Sequence, residues 1–361
     1  MPGTLFDTVL TSPRPPRSVP VRRYGFAFFC VIACVLTVFI LRARTPGPQP
    51  SHRLSHRTSV LVFHPAKPTP SPSPPAPKSI VVAFTGDISI SLGVSQVLSG
   101  HSQPHFPFGD VAERLRSYDL LVGNLECVIT TLGEPMIREP LIAPVETPKL
   151  LLDAGFDLVS IANNHTLDMS RAGYLEMLAK LDAAGLAHFG STTADPQRDP
   201  IVIREVQGIR MALIGHFNRE EKRAVEDVAR ARAKADIVIV FEHWGVEYSH
   251  VPVLHQRLLG RTLIDAGADA VIGAHAHIVH PIEVYRDRLI AYGLGNFVFS
   301  SMVRQGTHTG AVLELEMDRR GILSRRFRAV HIDARGAPHW HGDVMDEPML
   351  DPPGPRPLGP L

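Results

Sequence analysis

Five short apolar runs that each end in metal-type ligands constrain this chain more than any other feature. Ile80–Phe84 leads through Thr85-Gly86 to Asp87. Leu120–Val122 leads to Asn124 and Glu126, and Phe156–Ala162 to Asn163-Asn164-His165. Ile237–Phe241 leads to His243, and Ala270–Ile272 leads to His275 and His277. Short, continuous runs rich in β-branched residues read as strands buried on both faces. Helix-like segments alternate with them. Val111–Arg116 is one. Thr147–Leu152 is another, with Thr147 as N-cap, Pro148 at the first position and Gly155 at the end. Ser170 is read as the cap of a helix whose apolar face is Tyr174, Met177, Leu178 and Leu181, closed by Gly185. Arg219–Lys234 reads as a charged, solvent-facing helix, and Leu254–Ala266 as a helix stopped by Gly267. This alternation predicts an α/β domain of sheets covered by helices. Towards the end the pattern changes. Ile282–Tyr285 and Leu289–Tyr292 read as a hairpin, and Val312–Met317 and Phe327–Ile332 as antiparallel strands, so a mixed or second sheet is expected.

In open α/β sheets, sites form beyond the carboxyl ends of strands. All five ligand groups are expected there, at one edge. Taken singly, each has an ordinary reading: Asp87 as a turn residue, Asn163-Asn164 as a turn cap, His243 as a core histidine. Their recurrence argues for one site. Imidazoles with carboxylates and an amide oxygen suit one or two divalent ions such as Mn, Fe or Zn better than Ca or a thiolate-bound metal. The candidate ligands are Asp87, Asn124, Glu126, Asn164, His243, His275 and His277. Two ions about 3.5–4 Å apart can clamp a phosphoryl group and generate hydroxide from water. A histidine off the metal would then protonate the leaving oxygen, and His165 is the candidate for this catalytic role.

The N-terminal part is of another kind. Residues 1–23 form a basic tail. Tyr24–Leu41 is uncharged and bracketed by arginines. As a helix it would span roughly 27 Å, close to a bilayer core. Arg42-Ala43-Arg44 follows it where a cleavable signal would carry small residues, so an uncleaved single-pass anchor is expected. Arginines on the two sides nearly balance, and charge alone leaves the orientation open. Residues 42–78 are rich in proline and read as an extended stalk. The body is expected over 79–335 and a disordered tail over 336–361.

Net charge is +1 over 361 residues, and no basic stripe or nucleic-acid motif is present, so nucleic acid is not an expected partner. Of three cysteines, Cys30 and Cys34 lie in the apolar segment and Cys127 in the body. The body therefore has no disulfide framework, and Cys127 reads as a small buried filler. His216 and His280 read as structural or exposed.

Several motifs occur in an order that resembles the CapA-type capsule-synthesis family. They are Gly86-Asp87, Gly123-Asn124-Leu125-Glu126, Ala162-Asn163-Asn164-His165-x-Leu167-Asp168, His243-Trp244-Gly245-x-Glu247-Tyr248, Gly273-x-His275-x-His277 and Gly293-Leu294-Gly295-Asn296-Phe297. The resemblance covers about Ile80 to Ser300. It implies kinship with calcineurin-like metallophosphoesterases: a four-layer α/β/β/α sandwich, here preceded by one transmembrane helix, commonly with a dinuclear metal centre. It also implies roles. Asp87 would ligate the first ion and Asn164 the second. Asn124 or Glu126 would stand at the bridging position. His243, His275 and His277 would complete the centre, with His165 as the acid. Two positions depart from the superfamily pattern: Asp87-Ile88-Ser89 replaces Asp-x-His, and Gly123-Asn124 replaces Gly-Asp. The resemblance further implies a body outside the cell membrane, capsule-synthesis subunits as partners, and an anionic polymer or phosphoester as substrate. The alternatives are a non-catalytic scaffold or polymer-binding subunit on the same fold, and a general extracytoplasmic metallophosphoesterase.

Overall fold

The computed structural model describes residues 79–100, 105–192, 195–300, 304–342 and 345. The expected basic tail, anchor and stalk lie outside the described residues. Among the described residues no helix is long and apolar enough to cross a membrane.

The first half of the body runs β1 (Ile80–Ile88), α1 (Leu92–Ser99), α2 (Ala112–Leu115), β2 (Leu120–Leu125), β3 (Val128–Ile129), β4 (Ile142–Ala143), α3 (Thr147–Ala154), β5 (Leu158–Ser160), α4 (Ser170–Ala184) and β6 (Ala187–Phe189). The second half adds β7 (Ile201–Val206), β8 (Ile209–Phe217), α5 (Glu221–Arg232), β9 (Ile237–His243), α6 (Leu254–Asp265), β10 (Ala270–Ala274), β11 (Ile282–Tyr285) and β12 (Arg288–Ala291). It closes with β13 (Asn296–Val298), β14 (Thr309–Asp318), β15 (Gly321–Ile332) and β16 (Pro338–Trp340).

Two large mixed sheets result. One is ordered β16-β15-β14-β1-β2-β5-β6, with β13 also on β1; the other is β11-β12-β10-β9-β8-β7. Strands β1, β2, β5 and β6 are mutually parallel, as are β8, β9, β10 and β12. Side-chain alternation decides which face meets what. In β1, Val82 and Phe84 point into one apolar layer and Ala83 into another. In β9, Ile237, Ile239 and Phe241 join the layer of Val82 and Phe84, while Val238 and Val240 pack with Val228 and Leu263 of α5 and α6. The two sheets therefore share a central apolar layer, where Phe84 and Phe241 rings lie 6.3 Å apart. Helices cover both outer faces. Each fully buried Phe, Leu or Ile contributes about 1.5–3 kcal/mol, so these layers hold the sheets in register.

The body has the expected α/β class, with several local differences. β1 extends to Ile88 and β2 to Leu125, so Asp87 and Asn124 lie within strands rather than after them. Phe156–Ala162 contains only the short β5. Glu146, not Thr147, precedes α3, and Met169, not Ser170, precedes α4; neither forms a side-chain cap. The solvent-facing reading of α5 is corrected: Ala224, Val228 and Ala231 are buried. Their spacing makes one apolar stripe beneath a charged outer face. The sheet also passes Arg335, because β16 pairs with β15 through Val330↔Trp340. The hairpin β11–β12 turns at Arg286-Asp287, both at positive φ, as tight two-residue turns require.

Candidate metal centre

The parallel strands bring their carboxyl ends to one place. Asp87 pairs with Asn124 on one side and with Asn296 on the other. A register shift between Phe84 and Asp87 leaves one extra residue in β1, which re-aims the following side chain. The shift occurs at Gly86, where a Cβ would stand 1.8 Å from the Gly295 carbonyl oxygen. Only glycine lets the backbone approach so closely, and Asp87 N–H then donates to that carbonyl at 2.9 Å. From the second sheet, alternation along β9 puts His243 on the inter-sheet face and Glu242 on the helix-covered face. His243 pairs with Ala274, just before His275 and His277. Both of these histidines have positive φ, 93° and 58°, a strained state that clusters at functional sites.

Glu126 is the focus of the arrangement. Its carboxylate is fully buried, and its Oε1 has no hydrogen-bond partner. That oxygen lies 3.6 Å from His243 Nε2 and 3.9 Å from both His165 Nε2 and His277 Nε2. One ligand atom from each of Glu126, His243 and His275 falls within 4.8 Å of the others; the same holds for Asp87, Glu126 and His277. Glu126 belongs to both groups. His275 Nδ1 is likewise buried without a partner. Orphaned buried polar atoms are costly, and two in one cluster of nitrogen and oxygen donors fit a cation.

Asn124 sits differently from a ligand. Its Nδ2 donates to Asp87 Oδ1 at 2.9 Å, and lies 3.5 Å from Glu126 Oε2 and 3.3 Å from His243 Nδ1. Its Oδ1 accepts from Asn163 Nδ2 at 3.2 Å. This amide orientation follows from the hydrogen bonds. Asn164 Oδ1 accepts from His243 Nε2 at 2.7 Å. Ser89 points away into a hydroxyl pair with Ser91, 2.7 Å apart.

The electrostatics follow from burial and neighbours. Burial alone would raise Asp87, but the His277 hydrogen bond and charge, with help from His243 and Asn124, outweigh it and hold the carboxyl at about 2. Burial raises Glu126 well above the usual range, and the Asp87 charge adds to this. Burial lowers His243 strongly and His275 less so. Burial would lower His277 too, but its bond to Asp87 raises it overall. Cys127 is buried as expected, and burial pushes its thiol up to about 12.

Residues 81–301 match the family described as Bacterial capsule synthesis protein PGA_cap. The chain belongs to this family. Every residue of the centre lies inside that match. Among curated relatives, the PGA biosynthesis protein CapA of Bacillus subtilis is 29% identical over 276 residues, covering 71% of this chain and 72% of that one. The capsule biosynthesis protein CapA of Bacillus anthracis is 27% identical over 248 residues; the match covers 62% of this chain and spans 60% of that relative's length. A solved hypothetical protein from Thermus thermophilus superposes with a TM-score of 0.47 at 18% identity, covering 69% of this chain and 98% of that one.

All eight residues singled out in the sequence lie within this family's matched segment. Three supporting residues were not assigned a part there. Asn163 Nδ2 donates to the Leu125 carbonyl at 2.8 Å, and its Oδ1 accepts His165 N–H at 3.1 Å. Asp168 holds His165 Nδ1 at 2.8 Å. Asn296 Oδ1 accepts from His277 Nδ1 at 2.9 Å. The signal for Asp168 and Asn296 was their place in the Asn-His-x-Leu-Asp and Gly-Leu-Gly-Asn runs.

Proposed function

We propose that this protein is a membrane-anchored component of capsule or poly-γ-glutamate synthesis or export whose centre binds one or two divalent ions and hydrolyses a phosphoester-like bond. The body would lie outside the cell membrane, beside other subunits of the synthesis machinery. The observation that carries the site reading is Glu126 Oε1, an unpartnered buried carboxylate oxygen ringed by three imidazole nitrogens. Asp87, Glu126 and His277 would hold one ion, and Glu126, His243 and His275 a second. The donor set suits Mn, Fe or Zn, and a calcineurin-like metallophosphoesterase relationship agrees with the motif order. Bound there, such an ion would polarise the phosphoryl oxygen and activate water. His165 would hand its proton to the leaving oxygen, with Asp168 fixing the ring. Asn164 would orient His243 or join the second ion.

One observation favours a second reading, a non-catalytic scaffold or polymer-binding subunit. The Asn124 amide donates into the cluster where a bridging carboxylate would be expected. Elemental analysis of the purified full chain separates the two. Bound Mn, Fe or Zn, with cleavage of bis(p-nitrophenyl) phosphate that His165→Ala reduces about 100-fold or more while metal stays bound, supports the hydrolase. A folded, metal-free, inactive chain that gains metal only as Asn124→Asp would establish the scaffold. The anchor is tested separately: a reporter fused after Leu361 should read as extracytoplasmic.

A further inference from the structure

Arg304 is an exposed cation fastened to the centre along two routes. Its guanidinium carbon lies 4.3 Å from the centroid of the Tyr248 ring. That ring stacks on His277, with centroids 5.7 Å apart and planes at 29°. Tyr248 N–H donates to the Ala276 carbonyl at 2.9 Å, which fixes the ring beside the His275-Ala276-His277 segment. The second route is through the backbone. The Arg304 carbonyl accepts from Thr307 Oγ1 at 2.7 Å and Thr307 N–H at 3.3 Å. The Thr307 carbonyl accepts from Asn296 Nδ2 at 3.0 Å, and Asn296 holds His277.

Arg219, Arg230 and Arg232 sit on carboxylates, those of Asp227, Asp199 and Asp269. Among the described residues Arg304 has an aromatic face instead of an acid. A guanidinium seated over an aromatic ring keeps N–H donors for another partner, and its fork matches an oxyanion bidentately. Beside the cluster Glu247 is exposed, and its charge acts on Glu126, His275 and His277. Away from the ligand cluster itself, Arg304 sets a positive charge against that of Glu247, which favours an acidic group on the outer part of a substrate.

We propose that Arg304 is a specificity-determining residue that grips a second oxyanion, carboxylate or phosphate, on a substrate whose other end occupies the His277 cluster. This rests on the reading of that cluster as a substrate-binding centre. The role needs the cation held beside the cluster: Tyr248 seats the guanidinium next to His277, and the Thr307–Asn296 link ties down the backbone that carries it.

The test is equilibrium binding by calorimetry to the full chain in detergent. The probes are a γ-linked glutamate oligomer, its amidated neutral counterpart and a glycerol phosphate oligomer. Wild type should prefer an acidic oligomer over the neutral one, and the tighter acidic probe identifies the oxyanion. Arg304→Ala should cost about tenfold in Kd for that probe and leave the neutral one unchanged; Arg304→Lys should recover part of the loss. Equal losses on acidic and neutral probes would show a merely structural role and overturn the proposal. So would unchanged affinity in Arg304→Ala, or no acidic preference in wild type. Metal content and bis(p-nitrophenyl) phosphate turnover are read on the same samples. An Arg304-dependent preference without turnover would remove the hydrolase alone, and turnover without the preference would remove Arg304 alone.

Discussion

His165 Nδ1 lies 2.8 Å from Asp168 Oδ2, and its Nε2 faces Glu126 Oε1 at 3.9 Å. Asp168 is buried and also accepts the Leu141 N–H at 2.8 Å, so its carboxylate is fixed before His165 reaches it. With Nδ1–H donated to Asp168, Nε2 is the nitrogen left to serve the cluster. The same logic governs acid–histidine pairs on unrelated folds, where the carboxylate sets tautomer and orientation.

Asp168→Asn should therefore lower kcat on bis(p-nitrophenyl) phosphate by about 10–100-fold with metal content unchanged. Paired turnover and elemental measurements check this. A variant with full kcat would show that His165 needs no orienting partner.

A separate buried network governs stability. His216, on the helix-covered side of β8, is completely buried between Glu242 Oε1 at 2.8 Å and Asp227 Oδ2 at 3.2 Å. Arg219 and Arg230 close the network on Asp227. Burial would lower His216, but Glu242 and Asp227 outweigh it and raise it above 6.5. A raised folded-state value means the stabilisation is complete below about pH 6.5 and is lost as pH climbs through the folded pKa. Calorimetry from about pH 6 to about pH 9 should show Tm falling more steeply for wild type than for His216→Gln. Asp227→Ala leaves His216 on Glu242 and Arg230 on Asp199 but removes the acid beside Arg219, and should cost about 1–3 kcal/mol. A wild-type Tm that rises over that range would mean His216 is neutral in the folded protein.

These two networks mark what the sequence could and could not disclose. Strands and the polar groups near their ends were legible because continuous apolar runs and abrupt polar stops are local features. Asp87, His243 and His275 needed only that. The inner face of α5 was obscured because seven charged residues among Glu221–Arg232 dominate its composition, while its apolar stripe consists of small side chains. β16 was missed because Pro338–Trp340 is too short to carry a period and gains its state from β15. Asn124 was legible as a position but not as a donor. Which way an amide points depends on Asp87, Glu126 and Asn163, contributed by other stretches of chain.

Glu126 offers the most direct check on the centre. Burial, then the charge of Asp87, raises it well above the ordinary carboxylate range, while burial lowers His243 and His275. In the metal-free protein burial thus favours the protonated form of Glu126 and the neutral forms of His243 and His275, while the Asp87 bond favours the charged form of His277. A divalent ion needs the carboxylate ionised, so binding must expel that proton. Titrating Mn into the full chain in buffers of different ionisation enthalpy should reveal net proton release on binding. The release should fade as pH rises through the Glu126 pKa, since the proton has then already left. Glu126→Gln should bind Mn at least about tenfold more weakly and release fewer protons than wild type. Tight Mn binding by that variant would sink the assignment of Glu126 as the carboxylate shared by both ligand groups, because its Oε1 is the oxygen that faces His165, His243 and His277 together.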